Sequence, residues 1–203
     1  MSINLPNQIT LVRLVLAIAF FVMLAQYSHR SPQPWLLDVC LVTFIVAAAT
    51  DFLDGYYARK RNQITALGRV LDPFVDKVLV CGAFIFLASP AFCDESGANV
   101  TGLRAWMIVV ILGRELLVTG LRGFSESRGV QFGAEYVGKA KMWIQSVTAG
   151  VLLFTVAHPD ASAGSGLLWL RPLFVWATVV ITAASLVTYL IKSRGVLAET
   201  SSS

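Results

Sequence analysis

The sequence predicts an all-α integral membrane protein: six transmembrane helices with both termini on the cytoplasmic side. Three observations carry that prediction. The 203-residue chain is 56% apolar, with a mean hydropathy of +0.70. Only 14% of it is charged, against about 25% in soluble domains. Its Lys and Arg residues also collect in alternate connections between apolar runs. A helix crosses ~30 Å of hydrocarbon with about 20 apolar residues. Six spans with short connections therefore take up nearly the whole chain and leave a single membrane domain, residues 1–203.

The first apolar segment, Ile9–Gln26, has no basic stretch before it, carries Arg13 within the run and is followed by further spans. It is expected to be retained rather than removed as a signal peptide. SHRSPQP separates it from Leu36–Gly55, and ARKRNQIT separates that from Leu67–Ala88. SPAFCDESGANVTG leads to Leu103–Leu121, RGFSESRGVQFGAEYVG to Lys139–Ala157, and HPDASAGSG to Leu168–Ile191. These connections read as loops because they gather Pro, Gly, Ser, Asn and charge.

With the N-terminus inside, only Arg30, Arg104 and Arg171 of the sixteen Lys and Arg residues fall outside. The inner side receives Arg59-Lys60-Arg61, Arg122 with Arg128, Lys139 with Lys141, and Lys192 with Arg194. That asymmetry sets the orientation. The excess positive charge (+4) then reports topology and anionic headgroups, and no nucleic-acid partner is expected. Cys40, Cys81 and Cys93 show no metal-ligand spacing, and neither a disulfide nor a metal is assigned to them.

Carboxylates in or near hydrocarbon are expensive, yet four gather here. Asp51 and Asp54 close the second segment, and Asp72 and Asp76 lie in the first turns of the third. Spacings of i, i+3 and i, i+4 put each pair on one helix face. The short link makes the two helices antiparallel neighbours, so all four meet at the cytoplasmic face. They would repel one another without a cation between them. Hard oxygen donors with no nearby His suit Mg²⁺ or Mn²⁺, and four carboxylates can hold two such ions. Gly68 keeps the Asp72–Asp76 stripe open, while Gly55, Ala58 and Gly68 suit either a closely approaching nucleotide or tight helix packing. Asp38, alone near the outer end of the second segment, reads as an interfacial charge.

Asp51-x₂-Asp54-Gly55-x₂-Ala58-Arg59-x₈-Gly68-x₃-Asp72-x₃-Asp76 matches the signature of the CDP-alcohol phosphatidyltransferases, and the chain resembles that family along essentially its whole length. The resemblance implies a membrane enzyme, usually a homodimer, that uses two divalent cations to displace CMP from a CDP-linked lipid with an alcohol. It implies Asp51, Asp54, Asp72 and Asp76 as metal ligands and Asp76 as general base. Gly55, Ala58, Arg59 and Gly68 then line the nucleotide pocket. A guanidinium such as that of Arg59 suits phosphate.

The second half carries cations that orientation alone does not require. Arg114 lies inside the fourth segment, Arg122 two turns on, and Lys139 and Lys141 open the fifth. A dianionic acceptor needs such charges. Arg114 also has Glu115 beside it, so an internal ion pair competes for it. Lys139 and Lys141 cannot share a face, and Lys139 is preferred as the one directed to the site. GRELLVTGLR with GKAK, and the opening LPNQITLVR, resemble the branch of the family whose acceptor is glycerol 3-phosphate. The expected substrates are therefore CDP-diacylglycerol and glycerol 3-phosphate, at the cytoplasmic face of a prokaryotic inner membrane. Inositol, inositol phosphate, serine or phosphatidylglycerol are the alternative acceptors. A divalent-cation transporter is the competing class, but it would spread its carboxylates through the membrane depth.

Overall fold

The computed structural model describes residues 5–61, 66–127 and 136–200, with the backbone alone described for 5–7, 51–61, 66–73, 76, 126–127, 136–137, 139 and 192–200. Its elements are α1 (Leu5–Gln26), α2 (Pro34–Arg61), α3 (Ala66–Leu87), α4 (Ala105–Ser127), α5 (Tyr136–Ala157), the short α6 (Pro159–Gly164) and α7 (Leu167–Thr200). Each apolar segment read from the sequence coincides with one long helix. Three C-terminal boundaries differ most. α2 continues through Arg59-Lys60-Arg61, α4 runs on to Ser127, and α7 to Thr200. Arg, Lys, Leu and Ala are good helix formers, and charge does not end a helix once it has left the apolar layer. α6 occupies a stretch expected to be loop. Pro159 opens it and Asp160 sits in its first turn, both favourable at a helix start.

Among the described residues, three stretches are long and apolar enough to cross a membrane: Gln8–Gln26, Ala140–Ala157 and Leu167–Ile191. The burial pattern supports a lipid environment. α1 buries Thr10, Arg13, Ala17, Phe20 and Leu24, while Leu11, Val12, Val15, Ile18 and Val22 stand exposed. α7 buries Thr178, Thr182, Ser185 and Tyr189 and exposes Leu173, Trp176, Val180 and Val187. Apolar residues outside and polar residues inside invert the arrangement of a soluble protein.

The helices pack in a ring. α1 lies against α2 and α3, α2 against α5, α5 against α7, α7 against α4, and α4 against α3, with α3 also touching α5 across the middle. The α1–α3 contact is close because position 82 is Gly. A Cβ there would sit 2.3 Å from the Phe21 ring, which is stacked on Phe86 and set edge-on to Phe20. The seam between α5 and α7 is polar: Thr148 and Thr178 share a hydrogen bond of 2.8 Å, and Gln145 Nε2 donates to Thr182 Oγ1 at 3.2 Å.

Cross-links define one end of the bundle. The His29 amide donates to the Ala91 carbonyl, Arg171 to the Val100 carbonyl, and His158 Nε2 meets Asp38 Oδ1 at 2.8 Å. Asp38 is thus paired, not isolated. The segment after α3 is also built. Asn99 and Thr101 donate side-chain hydrogen bonds to the Leu87 carbonyl, and Gly97 and Gly102 take positive φ. Since successive long helices run antiparallel, their opposite ends gather the aspartates and the buried cations.

Candidate active site

Asp51 and Asp54 lie in the last part of α2, with Gly55, Ala58 and Arg59 beyond them. Gly68, Asp72 and Asp76 lie in the first part of α3. The structure therefore carries both carboxylate pairs on helical backbone at i, i+3 and i, i+4, on two helices in contact. The side chains of these residues, and of Lys139 on α5, lie outside the described residues. The next residue after Asp76 is described. Lys77 Nζ donates to Thr119 Oγ1 at 2.5 Å, and Thr119 in turn donates to the Glu115 carbonyl at 2.6 Å. Thr119 sits on α4 between Arg114 and Arg122, so the aspartate-bearing helix meets the arginine-bearing one directly.

Around Arg114 the structure builds a buried ionic cluster. Arg114, Glu115 and Lys141 are 6%, 4% and 6% exposed. Lys141 Nζ lies 2.5 Å from Glu115 Oε1, and Arg114 Nη1 lies 3.2 Å from the same oxygen. Arg114 Nε and Nη2 donate to Ser185 Oγ of α7 at 3.2 and 2.6 Å. The ion pair foreseen between Arg114 and Glu115 is present, and Lys141 joins it. An unpaired charge at this depth would cost several kcal/mol or more, which explains the carboxylate beside two cations. Arg114 still has N–H groups beyond those three nitrogens' bonds, because a guanidinium carries five donors.

Arg122, two turns along α4, donates from Nη2 to the Tyr189 hydroxyl. Its Nε is buried and has no hydrogen-bond partner among the described residues. Buried donors are almost always satisfied, so this atom marks a place where an acceptor belongs. Sequence reading weighed Lys141 against Lys139 and preferred Lys139, whose side chain lies outside the described residues, and it did not single out Ser185 or Tyr189. The signal was available in α7, where Thr178, Thr182, Ser185 and Tyr189 recur every three or four residues within an apolar run.

A half-open apolar groove of about 740 Å³ runs between α2 and α5. Leu79 and Val80 of α3 floor it, and Phe44, Ala48, Trp143 and Val147 form its walls. It begins at Ala49, two residues before Asp51, and reaches Phe154 and Leu167 near the other end of the bundle. Such a groove suits a hydrocarbon chain whose polar head lies at the aspartates.

Residues 3–184 match the sequence model of the CDP-alcohol phosphatidyltransferase family. The chain is 39% identical over 159 residues to the CDP-diacylglycerol–glycerol-3-phosphate 3-phosphatidyltransferase of Bacillus subtilis strain 168, covering 74% of this chain and 76% of that relative. It is 32% identical over 182 residues to the protein of that name from Rickettsia bellii, covering 88% and 89%. The relative of the same name from Cereibacter sphaeroides is 33% identical over 174 residues, 83% of this chain and 72% of its own.

Proposed function

The chain belongs to the CDP-alcohol phosphatidyltransferase family, and from that premise we propose that it transfers the phosphatidyl group of CDP-diacylglycerol to the primary hydroxyl of sn-glycerol 3-phosphate. The products are phosphatidylglycerophosphate and CMP. The observation that carries the acceptor is the pair of arginines: Arg114, buried beside Glu115 and Lys141, and half-buried Arg122, whose Nε is buried and has no hydrogen-bond partner among the described residues. Serine or free inositol would leave that charge unanswered, whereas a phosphate monoester satisfies it.

In this reading the groove between α2 and α5 takes an acyl chain, and the diphosphate lies where α2 and α3 carry their aspartates. Gly55, Ala58 and Gly68 admit the nucleotide, and Arg59 faces its phosphates. The donor set of four carboxylates without histidine fits Mg²⁺ or Mn²⁺, with Asp51, Asp54, Asp72 and Asp76 as ligands. When bound, the two ions supply neutralisation of the diphosphate and polarisation of the phosphorus under attack. Asp76 accepts the proton of the acceptor hydroxyl. The freed oxygen bonds to the lipid-linked phosphorus, and the bond from that phosphorus to the CMP oxygen breaks, its electron pair leaving with CMP. Arg114, Arg122 and Lys139 orient the acceptor through its phosphate.

Six spans, both termini in the cytoplasm, a site facing the cytoplasm of a prokaryotic inner membrane and a homodimer complete the proposal. The charge asymmetry of the loops supports the orientation. The decisive assay presents purified protein with CDP-diacylglycerol and a panel of alcohols, with products identified by mass. Equal use of serine or inositol removes the acceptor assignment. Absence of CMP release with every alcohol removes the chemistry.

A further inference from the structure

We propose that Tyr189 is the positioning residue of the acceptor-phosphate clamp, holding the guanidinium groups of Arg114 and Arg122 on one buried ring. The inference rests on the reading of those arginines given above. Eight residues apart on α4, they leave the same face roughly 12 Å apart along the axis. Two like charges on long side chains would otherwise separate and sample many rotamers. Here both guanidinium carbons lie 5.5 Å from the centroid of the Tyr189 ring. The ring is 4% exposed, and its hydroxyl accepts the hydrogen bond from Arg122 Nη2.

Ser185, one turn earlier on the same face of α7, holds Arg114 from the other side through Nε and Nη2. One helix, α7, thus templates two cations that another helix supplies. The orphaned Nε of Arg122 remains for the acceptor oxygen. Pre-setting these donors removes an ordering cost at binding.

The test measures KM separately for glycerol 3-phosphate and CDP-diacylglycerol in Tyr189→Phe, Tyr189→Leu and Arg122→Ala. Tyr189→Phe keeps the ring and loses the hydroxyl, and should raise the acceptor KM about tenfold. Tyr189→Leu loses both and should raise it about tenfold further. The KM for CDP-diacylglycerol should stay within about twofold in all three. A structural role alone would lower the active fraction and leave both KM values in place. That result, or an unchanged acceptor KM in Tyr189→Phe and Tyr189→Leu beside a raised one in Arg122→Ala, overturns the role of Tyr189. An unchanged acceptor KM in Arg122→Ala overturns the clamp itself, and Tyr189 with it. Should Tyr189→Leu fail to fold, Tyr189→Phe decides the matter.

Discussion

A carboxylate in an apolar run is visible to anyone who reads the sequence, because hydrocarbon penalises charge and spacing reveals its partner. Asp51, Asp54, Asp72 and Asp76 stand out in the sequence on those grounds, and their side chains lie outside the described residues. The pairing of Asp38 does not stand out, since its partner His158 lies 120 positions away and no local pattern joins them. The ion pair of Lys141 was hidden for a related reason: its partner Glu115 sits on another helix, so nothing in GKAK announces it. Residue chemistry yields three expectations. Asp76→Asn should lower turnover by about 10²–10⁴-fold while CDP-diacylglycerol binding persists; near-normal turnover would show that the base lies elsewhere. Arg122→Ala should weaken acceptor affinity by about one to two powers of ten, read as KM for glycerol 3-phosphate. In the segment after α3, the Ser96 hydroxyl, helped by the Ala98 and Ser96 amides and by nearby His29, holds the Asp94 carboxyl below its usual range. A depressed carboxylate contributes order above its unfolded pKa and loses it as pH falls through the folded one. Hydrogen exchange at the Ser96 and Ala98 amides should therefore accelerate, relative to the rest of the loop, only in strongly acidic buffer. Equal protection in Asp94→Ala at neutral pH would contradict that account.

Helix positions followed from hydropathy alone, whereas helix ends did not. α2 outlasts its apolar run through Arg61 because Arg, Lys and Ala extend a helix as readily as Leu, and water can receive the polar turns. The inward face of α7 was also hidden, since Thr and Ser interrupt an apolar run too weakly to be noticed without their spacing. Between α1 and α3, closeness depends on a missing methyl group. Gly82→Ala would drive a Cβ into the Phe21 ring, and that ring is pinned by Phe20 and Phe86. Alanine's better helix propensity offsets part of the clash, but overpacking typically costs about 1–3 kcal/mol. Thermal unfolding of Gly82→Ala should therefore start at lower temperature than wild type. An unchanged midpoint would mean that Phe21 finds another rotamer, and that the contact is looser than its geometry suggests.

At the scale of the molecule, the ring of helices brings aspartates from its first half and arginines from its second half to one end. Lys77 and Thr119 form the direct link between them. Such an end should need divalent cations: activity should disappear in excess EDTA and return with Mg²⁺ or Mn²⁺. Full turnover under chelation would dismiss the two-ion reading. The polar seam between α5 and α7 also bears on biogenesis. The apolar window of α5 has a mean hydropathy of only 1.3, against 2.3 for α1 and 2.0 for α7. Emerging alone from the ribosome, α5 would offer Lys141, Gln145 and Thr148 to lipid, a poor candidate for release by the translocon. Its partner follows after only the short α6, so the two should partition as a hairpin, with Thr178 and Thr182 covering that polar face. A nascent chain arrested before Leu167 should thus leave α5 extractable by alkali, and one arrested after Tyr189 should hold it in the bilayer.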